Sequence, residues 1–217
     1  MKKVIFGLTD LADVLFYELN KTGVEIDCFC VNQKYIYEKF HMGKPVVAYE
    51  ELRDFFESAE QIGIYLCVGY HSMNQIRERV YRKIKEEGYK ILSFIHSSAI
   101  VETKQMGEGC IVLEQVLIGP YTKVGVANIF YPKAMVSHHS IIGDYNFFAI
   151  SASVAGNVIV ESKCFIGNNV TTKDGIRIKS LTLAGAGSYI DQDTEEGSCI
   201  VPARSVKLKN HTSIDFL

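Results

Sequence analysis

The sequence predicts a chain of two parts, an α/β unit over residues 1–95 and a parallel β-helix over residues 96–217. Two observations carry this prediction. In the first part, short apolar runs alternate with amphipathic helical patterns, which is typical of a parallel sheet with helical crossovers. In the second part, an apolar or small residue recurs at every sixth position, a period that neither a helix nor a strand pair produces.

The first part begins with the strand KVIFG and continues with VEIDCFCV, the extended stretch KPVVAY, IGIYLCVG and YKILSFI. Asp10 is expected to cap the first helix, EELRDFFES reads as a short second helix, and Ser72 is expected to cap a third that ends before Gly88. This order predicts a small Rossmann-like domain. Ligands in such sheets bind at the carboxyl ends of the strands, here near Gly7, Asn32 and Gly69.

The hexapeptide period runs through sixteen positions, from residue 100 to residue 190. A six-residue unit is typical of a β-helix in which three flat faces make one coil, so the fifteen steps predict five coils. Such an array needs closed ends. We expect the first domain to cover one end and the segment after Ile190 to cover the other. The marked positions are Ile100, Met106, Val112, Ile118, Val124, Phe130, Val136, Ile142, Phe148, Val154, Val160, Ile166, Thr172, Ile178, Ala184 and Ile190.

The outer faces of this prism are predicted to carry large apolar side chains. Such patches on a protein surface usually mark an interface, and closed cyclic symmetry is the common arrangement. A homotrimer is therefore expected. The side chains in question are Tyr121, Ile129, Tyr131, Phe147 and Phe165.

Composition narrows the partners and the location. The formal net charge is −2 and the pI is near 6.3, so nucleic acid is an unexpected partner. No apolar run is long enough for a membrane span, and acidic residues follow the start too closely for a signal peptide. A cytoplasmic protein is expected.

The best candidates for chemistry are His138 and His139, which fall at or beside a corner of the coil, two and three places after the inward Val136. A neutral imidazole there is a good general base. Asp144 lies six residues after His138, where a carboxylate could orient an imidazole. Two other interpretations remain open: surface histidines at a turn, or a zinc site shared between subunits, for which a third suitably spaced His is missing.

Three segments resemble one known family: IHSSAIV at 95–101, AGNV at 155–158 and CFIGNN at 164–169. Together with the length and the order of the two parts, they make the chain similar to hexapeptide acyltransferases that act on sialic acid or bacillosamine. The resemblance covers essentially the whole chain. It implies a Rossmann-like domain followed by a left-handed β-helix.

The resemblance also assigns residues. The family's general base aligns with His138, the Glu that supports it is replaced by His139, and Asp144 keeps an acidic residue. A second family His, nearer the thioester, aligns with Phe147, which the resemblance thereby places at the acyl donor. SHHS at 137–140 is closer to a sister group of sugar acyltransferases that reads GHHS. By alignment, acetyl-CoA runs along a groove between two subunits, and its contacts are Gly156, Asn168, Ala186 and, in the tail, Arg204.

The acceptor-binding loops depart more from the family. The family's Gly-rich loop reads GLTDLA here, with Gly7 and Thr9, and Asn32 stands where an Asp often binds ribose or base. Fewer glycines leave fewer free N–H groups for a pyrophosphate. Gly69 and Tyr70 begin the remaining candidate loop. In the alternative interpretation, Tyr70 and His71 simply begin a helix and Arg77 is a solvated charge.

These features predict an acetyl-CoA-dependent acyltransferase that modifies an amino or hydroxyl group of a sugar, with a nucleotide-linked precursor of a surface polysaccharide as the expected acceptor. His138 would deprotonate the acceptor, a backbone N–H, for example that of Gly156, would stabilise the oxyanion, and neither a metal nor an acyl-enzyme would be needed. Two alternatives remain. One is a metal-dependent hydratase resembling γ-type carbonic anhydrases, and the other is a non-catalytic trimeric scaffold.

Overall fold

The computed structural model describes residues 1–56, 61–205 and 214. Its first part is one six-stranded sheet with the strand order β3-β4-β2-β1-β5-β6, in which only the β3–β4 pair is antiparallel. This arrangement confirms the Rossmann-like α/β prediction. The elements are β1 (Lys2–Phe6), α1 (Asp10–Lys21), β2 (Cys28–Val31), β3 (Phe40–His41), β4 (Lys44–Ala48), α2 (Leu52–Phe55), β5 (Ile62–Leu66), α3 (Gln75–Glu86) and β6 (Lys90–Leu92), with 3-10 turns at Gln33–Tyr35 and Tyr49–Glu51.

Both predicted helix caps were wrong by one or two residues. Thr9, not Asp10, is the N-cap of α1, and its hydroxyl accepts a hydrogen bond from the Ala12 N–H. Asn74, not Ser72, precedes α3, because residues 72–74 all adopt left-handed backbone conformations with φ between 49° and 62°. The turn before α3 is therefore a tight left-handed loop.

The second part is a left-handed parallel β-helix with three sheets. The hexapeptide period predicts the three sheets, and the family resemblance implies the left hand. We call these sheets the covered face, the second face and the third face. The covered face contains β7 (Phe94–Ile95), β10 (Ile111–Val112), β13 (Ile129–Phe130), β16 (Phe147–Phe148), β19 (Phe165–Ile166), β22 (Leu183–Ala184) and β24 (Cys199–Ile200). The second face contains β8 (Ile100–Val101), β11 (Leu117–Ile118), β14 (Met135–Val136), β17 (Ser153–Val154), β20 (Thr171–Thr172) and β23 (Tyr189–Ile190). The third face contains β9 (Gln105–Met106), β12 (Lys123–Val124), β15 (Ile141–Ile142), β18 (Ile159–Val160) and β21 (Arg177–Ile178).

The predicted strand YKILSFI is divided between the two parts. Residues 90–92 close the first sheet, whereas residues 94–95 open the covered face of the β-helix. The division of the chain into two domains after residue 95 stays a prediction.

The hexapeptide positions line the interior, with one exception at the start. Every marked position from Val112 to Ile190 is buried, but Ile100 is 53% exposed. Val101 takes the inward place instead, because it pairs with Ile118 at a spacing of 17 residues rather than 18. The first coil is one residue short between Val101 and Met106.

The first domain covers a flat face of the prism, not its end as predicted. Helix α1 packs through Leu15 and Leu19 on outward residues of the covered face, in a cluster that includes Ile129 and Phe147. Tyr131 and Phe165 pack against the same cluster. Four of the five side chains that predicted a subunit interface are therefore covered by the chain's own first domain; only Tyr121, at 75% exposure, is not.

Arg77 fixes the two parts together, and the interpretation of this residue as a solvated charge was wrong. Its side chain is 1% exposed and donates only to backbone carbonyls. Burial lowers the pKa of the guanidinium, and the carbonyls satisfy its donors in place of water. The acceptors are Val68 O at 3.1 Å, Gly69 O at 3.0 Å, Ala127 O at 3.0 Å, Tyr145 O at 2.6 Å and Asn146 O at 3.0 Å.

At the carboxyl-terminal end, the segment after Ile190 lies on the last coil. Thr194 is buried there, and its N–H donates to Arg177 O at 3.0 Å. Cys199 and Ile200 add a further strand to the covered face, and Ile200 packs against the interior core. Among the described helices, none has the length and apolar character required to cross a membrane.

Candidate active site

The corner between the second and third faces carries His138 and His139; we call it the histidine corner. Both side chains are exposed. The backbone of His139 is left-handed, with φ of 56°, a conformation in which His, Asn and Asp are enriched. Tyr121 and Asn157 occupy the same place one coil before and one coil after, with φ of 61° and 58°.

Hydrogen bonds from the neighbouring coils fix the backbone of this corner. The His139 N–H donates to Pro120 O at 3.1 Å, and the Asn157 N–H donates to His138 O at 3.0 Å. Each coil therefore holds the next in register. The imidazoles project from a rigid scaffold, which favours a defined position for a catalytic group.

The two imidazoles contact each other directly. The two Nδ1 atoms are 3.1 Å apart, and the ring planes are nearly perpendicular, at 83°. One nitrogen must donate and the other must accept. His139 thus lies beside His138, where the family resemblance places a supporting carboxylate; the supporting role of His139 stays a prediction.

Gly156 creates the space in which the His138 ring lies. A Cβ atom added at Gly156 would lie 2.7 Å from Cε1 and 3.0 Å from Nε2 of His138. Any side chain at this position would displace the imidazole. The absence of a side chain at Gly156 therefore leaves room for the ring of the candidate base. The predicted role of Gly156 at the acyl donor stays a prediction.

Asp144 does not lie beside His138 in this chain. It occupies the corner between the third and covered faces, where its Oδ1 accepts the Val126 N–H at 2.8 Å. The carboxylate thereby caps a backbone donor of the preceding coil. In one chain, His139 is the neighbour of His138 and Asp144 is not.

Phe147, which the alignment placed near the acyl donor, lies on the covered face and is 3% exposed. Its ring packs between Tyr131 and Phe165, with centroids 4.8 Å and 5.4 Å away. Tyr70 closes over it at 5.0 Å. The covered face is opposite the histidine corner. The first domain packs over Phe147, so its side chain does not reach a groove at the histidine corner. The placement of Phe147 at the acyl donor was wrong, because its side chain fills an interdomain core.

The remaining acyl-donor candidates lie on another edge of the prism. Asn168 and Ala186 are exposed at the corner between the covered and second faces, where Asn168 Oδ1 accepts the Ile150 N–H at 3.1 Å. Arg204 is exposed near the end of the described chain. Gly156 and the Asn168–Ala186 edge therefore flank the second face from opposite sides, so a single copy does not bring them together.

The first domain contains a cleft of about 580 Å³ at the carboxyl edge of its sheet, as the topology predicts. Four of the five predicted acceptor residues line it: Gly7, Thr9, Asn32 and Gly69. Gly7 has φ of 130°, and a Cβ there would lie 2.5 Å from Cys67 O. Only glycine fits this turn beneath the cleft.

Thr9 and Asn32 are held by hydrogen bonds within the chain. The Thr9 hydroxyl donates to Cys67 O at 3.2 Å, and Asn32 Nδ2 donates to Glu50 Oε1 at 2.9 Å. The Glu50 carboxylate also accepts the Gln33 N–H at 2.9 Å. These contacts shape the cleft before any ligand binds.

Sequence reasoning missed the outer wall of this cleft. Lys34, Tyr35 and Tyr37 line it, and the Lys34 ammonium lies 4.8 Å from the Tyr35 ring centroid. Tyr35 and Tyr37 are 59% and 73% exposed. A cation beside exposed aromatic rings suits a phosphate and a planar base. The segment KYIY directly after β2 was the available signal.

The cleft and the histidine corner lie on different sides of one copy. The first domain sits on the covered face, whereas His138 projects from the opposite corner. A single copy therefore does not bring the cleft and His138 together in one site. Within residues 1–56, 61–205 and 214, no group of three His, Cys, Asp or Glu side chains is arranged to hold a metal ion.

A β-helix of hexapeptide coils with an imidazole at one corner, joined to an α/β domain with a cleft, is the arrangement that the family resemblance predicts for a hexapeptide-repeat acyltransferase. No family model matches the chain. A curated relative, GDP-perosamine N-acetyltransferase from Escherichia coli O157:H7, is 32% identical over 150 residues, or 67% of this chain. The chain spans 66% of that relative, just under two thirds of its length.

Two solved structures share the architecture over 93% of this chain. PerB from Caulobacter crescentus, in complex with CoA and GDP-perosamine, is 25% identical with a TM-score of 0.82 over 94% of its own chain. The acetyltransferase domain of PglB from Neisseria gonorrhoeae FA1090, in complex with acetyl coenzyme A, is 20% identical with a TM-score of 0.80 over 96% of its chain. The chain is therefore similar, in sequence and in fold, to hexapeptide-repeat sugar N-acetyltransferases.

Proposed function

We propose that this protein transfers the acetyl group of acetyl-CoA to an amino group of a nucleotide-linked sugar. The observation that carries the proposal is the pairing of an exposed imidazole over Gly156 with a nucleotide-sized cleft in the first domain. The relatives solved with CoA and GDP-perosamine or with acetyl coenzyme A support both substrates. The acceptor class is accordingly a GDP-linked amino sugar, and the reaction is N-acetylation.

In this mechanism the neutral amine attacks the thioester carbonyl while His138 accepts its proton. The carbon–sulfur bond then breaks, the CoA sulfur leaves as a thiolate, and the proton passes to it from the imidazole. The N–H of Gly156 is a candidate donor to the developing oxyanion. Both substrates react directly, so no acyl-enzyme forms and no metal is required.

The assembly we propose is a homotrimer in which each site is shared. The second face exposes Ile100, Met135 and Tyr189 at 53%, 40% and 61%, and apolar surface of this kind favours contact with another copy. Such contact can bring the Gly156 edge of one copy beside the Asn168–Ala186 edge of another, forming the acetyl-CoA groove. It also allows the cleft of one copy to present a sugar to His138 of its neighbour.

The test is purified protein with acetyl-CoA and a panel of GDP-, UDP- and dTDP-linked amino sugars, followed by CoA thiol release and product mass. Acetylation of a GDP-linked amino sugar, and none of the matching sugar without its amine, is expected. His138→Ala should lower kcat about 10²–10⁴-fold, the usual contribution of a general base. Turnover at the wild-type rate in that variant would remove His138 from the mechanism.

Asp144→Asn is the matched control, because an amide oxygen can still accept the Val126 N–H. We expect this variant to keep wild-type kcat. A fall as large as that of His138→Ala would instead place Asp144 in the mechanism through a neighbouring copy.

A further inference from the structure

Tyr121 stacks on the supporting histidine of the site. The centroids of Tyr121 and His139 are 4.7 Å apart, and the rings are inclined by 29°. Both residues occupy the same turn position in successive coils with the same left-handed backbone, so their side chains leave the corner side by side. Tyr121 remains 75% exposed. Tyr121 lies at the rim of the site, on the His139 side of the pair of imidazoles.

This stacking fixes the orientation of the His139 ring. With that ring held, its Nδ1 faces Nδ1 of His138 at 3.1 Å. Without it, His139 is an exposed side chain that can rotate among rotamers in solvent. The contact between the two imidazoles therefore depends on a third ring.

The contact between the imidazoles controls whether His138 can act as a base. If His138 Nδ1 carries the proton and donates it to His139, then Nε2 of His138 keeps a free lone pair. If His139 donates instead, Nε2 of neutral His138 is protonated and cannot accept a proton. The hydrogen bond at one ring nitrogen thus selects the tautomer at the other.

We propose that Tyr121 is a positioning residue that holds His139 as the acceptor of the His138 Nδ1–H and so keeps Nε2 of His138 free. This inference rests on the proposed function for the role of His138. In this role Tyr121 acts through His139 and not on the substrates. Its contribution comes from its ring face, not from its hydroxyl.

The kinetic test compares Tyr121→Phe, which keeps the ring, with Tyr121→Ala, which removes it. Tyr121→Ala should lower kcat about fivefold to tenfold, within the roughly twofold to twelvefold range to which the stabilisation of one aromatic pair corresponds, with both KM values within about twofold of wild type. Tyr121→Phe should retain kcat within about twofold. An equal loss in both variants would overturn the inference, because it would assign the effect to the hydroxyl.

The second measurement needs no turnover. In protein with ¹⁵N-labelled histidine, the ring-nitrogen shifts report the tautomer of His138, whose signals are assigned with His138→Asn. Wild type and Tyr121→Phe should show the Nδ1–H form, and Tyr121→Ala should show a mixture of both neutral forms. An unchanged tautomer in Tyr121→Ala would overturn the inference.

These two measurements separate the possible failures. If His138→Ala keeps full activity, the proposed base is wrong, whereas the tautomer signal still decides the role of Tyr121. Tyr17→Ala serves as the matched control, because Tyr17 is 59% exposed on helix α1, away from the histidine corner. It should change neither kcat nor the His138 signals; a comparable change in this variant would overturn a specific role for Tyr121.

Discussion

The covered face and the histidine corner are built from the same six-residue unit, yet they serve opposite purposes. On the covered face, Phe147 is 3% exposed among other aromatic rings. At the histidine corner, His138 is exposed and lies over Gly156. The strands of both regions follow the same parallel pairing from coil to coil.

This difference shows that the repeat specifies the scaffold but not the use of each face. The inward residues are set by the period, because they share one core. The outward residues are free to face solvent, a second domain or another copy. Large outward side chains therefore did not distinguish a subunit interface from an interface within the chain.

The largest expected effect is on the covered face. Phe147→Ala should lower the free energy of unfolding by about 3–5 kcal/mol, because it removes a buried aromatic ring, while the KM for acetyl-CoA stays unchanged. Urea denaturation and steady-state kinetics below the melting temperature measure the two quantities. Phe55→Ala is the control, since Phe55 is 50% exposed and its loss should have a small effect. A raised KM for acetyl-CoA with normal stability would reverse the assignment of Phe147 to the core.

The next effect is expected at the histidine corner. Gly156→Ala places a Cβ 2.7 Å from Cε1 of His138, and a displacement of about 1 Å in a catalytic group costs about 100-fold in rate. We expect kcat to fall by about that factor with little change in melting temperature, because only a side chain must move.

Gly143→Ala is the matched control for this prediction. Its Cβ would lie 2.8 Å from backbone atoms of Glu161, so the coil itself must shift. This variant should lower the melting temperature and leave the kcat of the folded enzyme near wild type. Full kcat in Gly156→Ala would show that His138 does not need its observed position.

The smallest effect is expected at His41, an imidazole that contrasts with His138 in its surroundings. Its Nδ1 lies 2.6 Å from Glu38 and its Nε2 lies 2.6 Å from Asp13. Burial lowers the pKa of His41, but these hydrogen bonds outweigh it, and the net pKa is raised above 6.5. The protonated ring therefore stabilises the fold below pH 6.5, and this contribution is lost as the pH rises through the raised pKa.

His41→Gln should remove that pH dependence. At pH 6 the free energy of unfolding of the wild type should exceed that of the variant by at most about 1 kcal/mol, since partly exposed ion pairs contribute little. At pH 9 the difference should be smaller. Chemical denaturation of both proteins at the two pH values measures the difference. A stability difference that grows with rising pH would contradict the assignment of His41 as a protonated ring held by Glu38 and Asp13.

Much of the site could be predicted because it follows from local patterns. The strand ends that bring Gly7, Asn32 and Gly69 to one cleft are a topological property of parallel sheets. The corner position of His138 follows from counting from Val136. Spacing did not identify the side chain that contacts His138. Asp144 follows His138 by six residues, and six residues lead to the next corner of the prism.

The sequence by itself determined the coil, the inward residues from Val112 to Ile190 and the two-part order, because these depend on period and polarity along the chain. Tertiary structure alone decided that the first domain lies on a flat face, that Arg77 is buried among carbonyls and that His139 meets His138. Those outcomes depend on how two folded parts pack and on which rotamers their surfaces allow, and neither has a signature in sequence spacing.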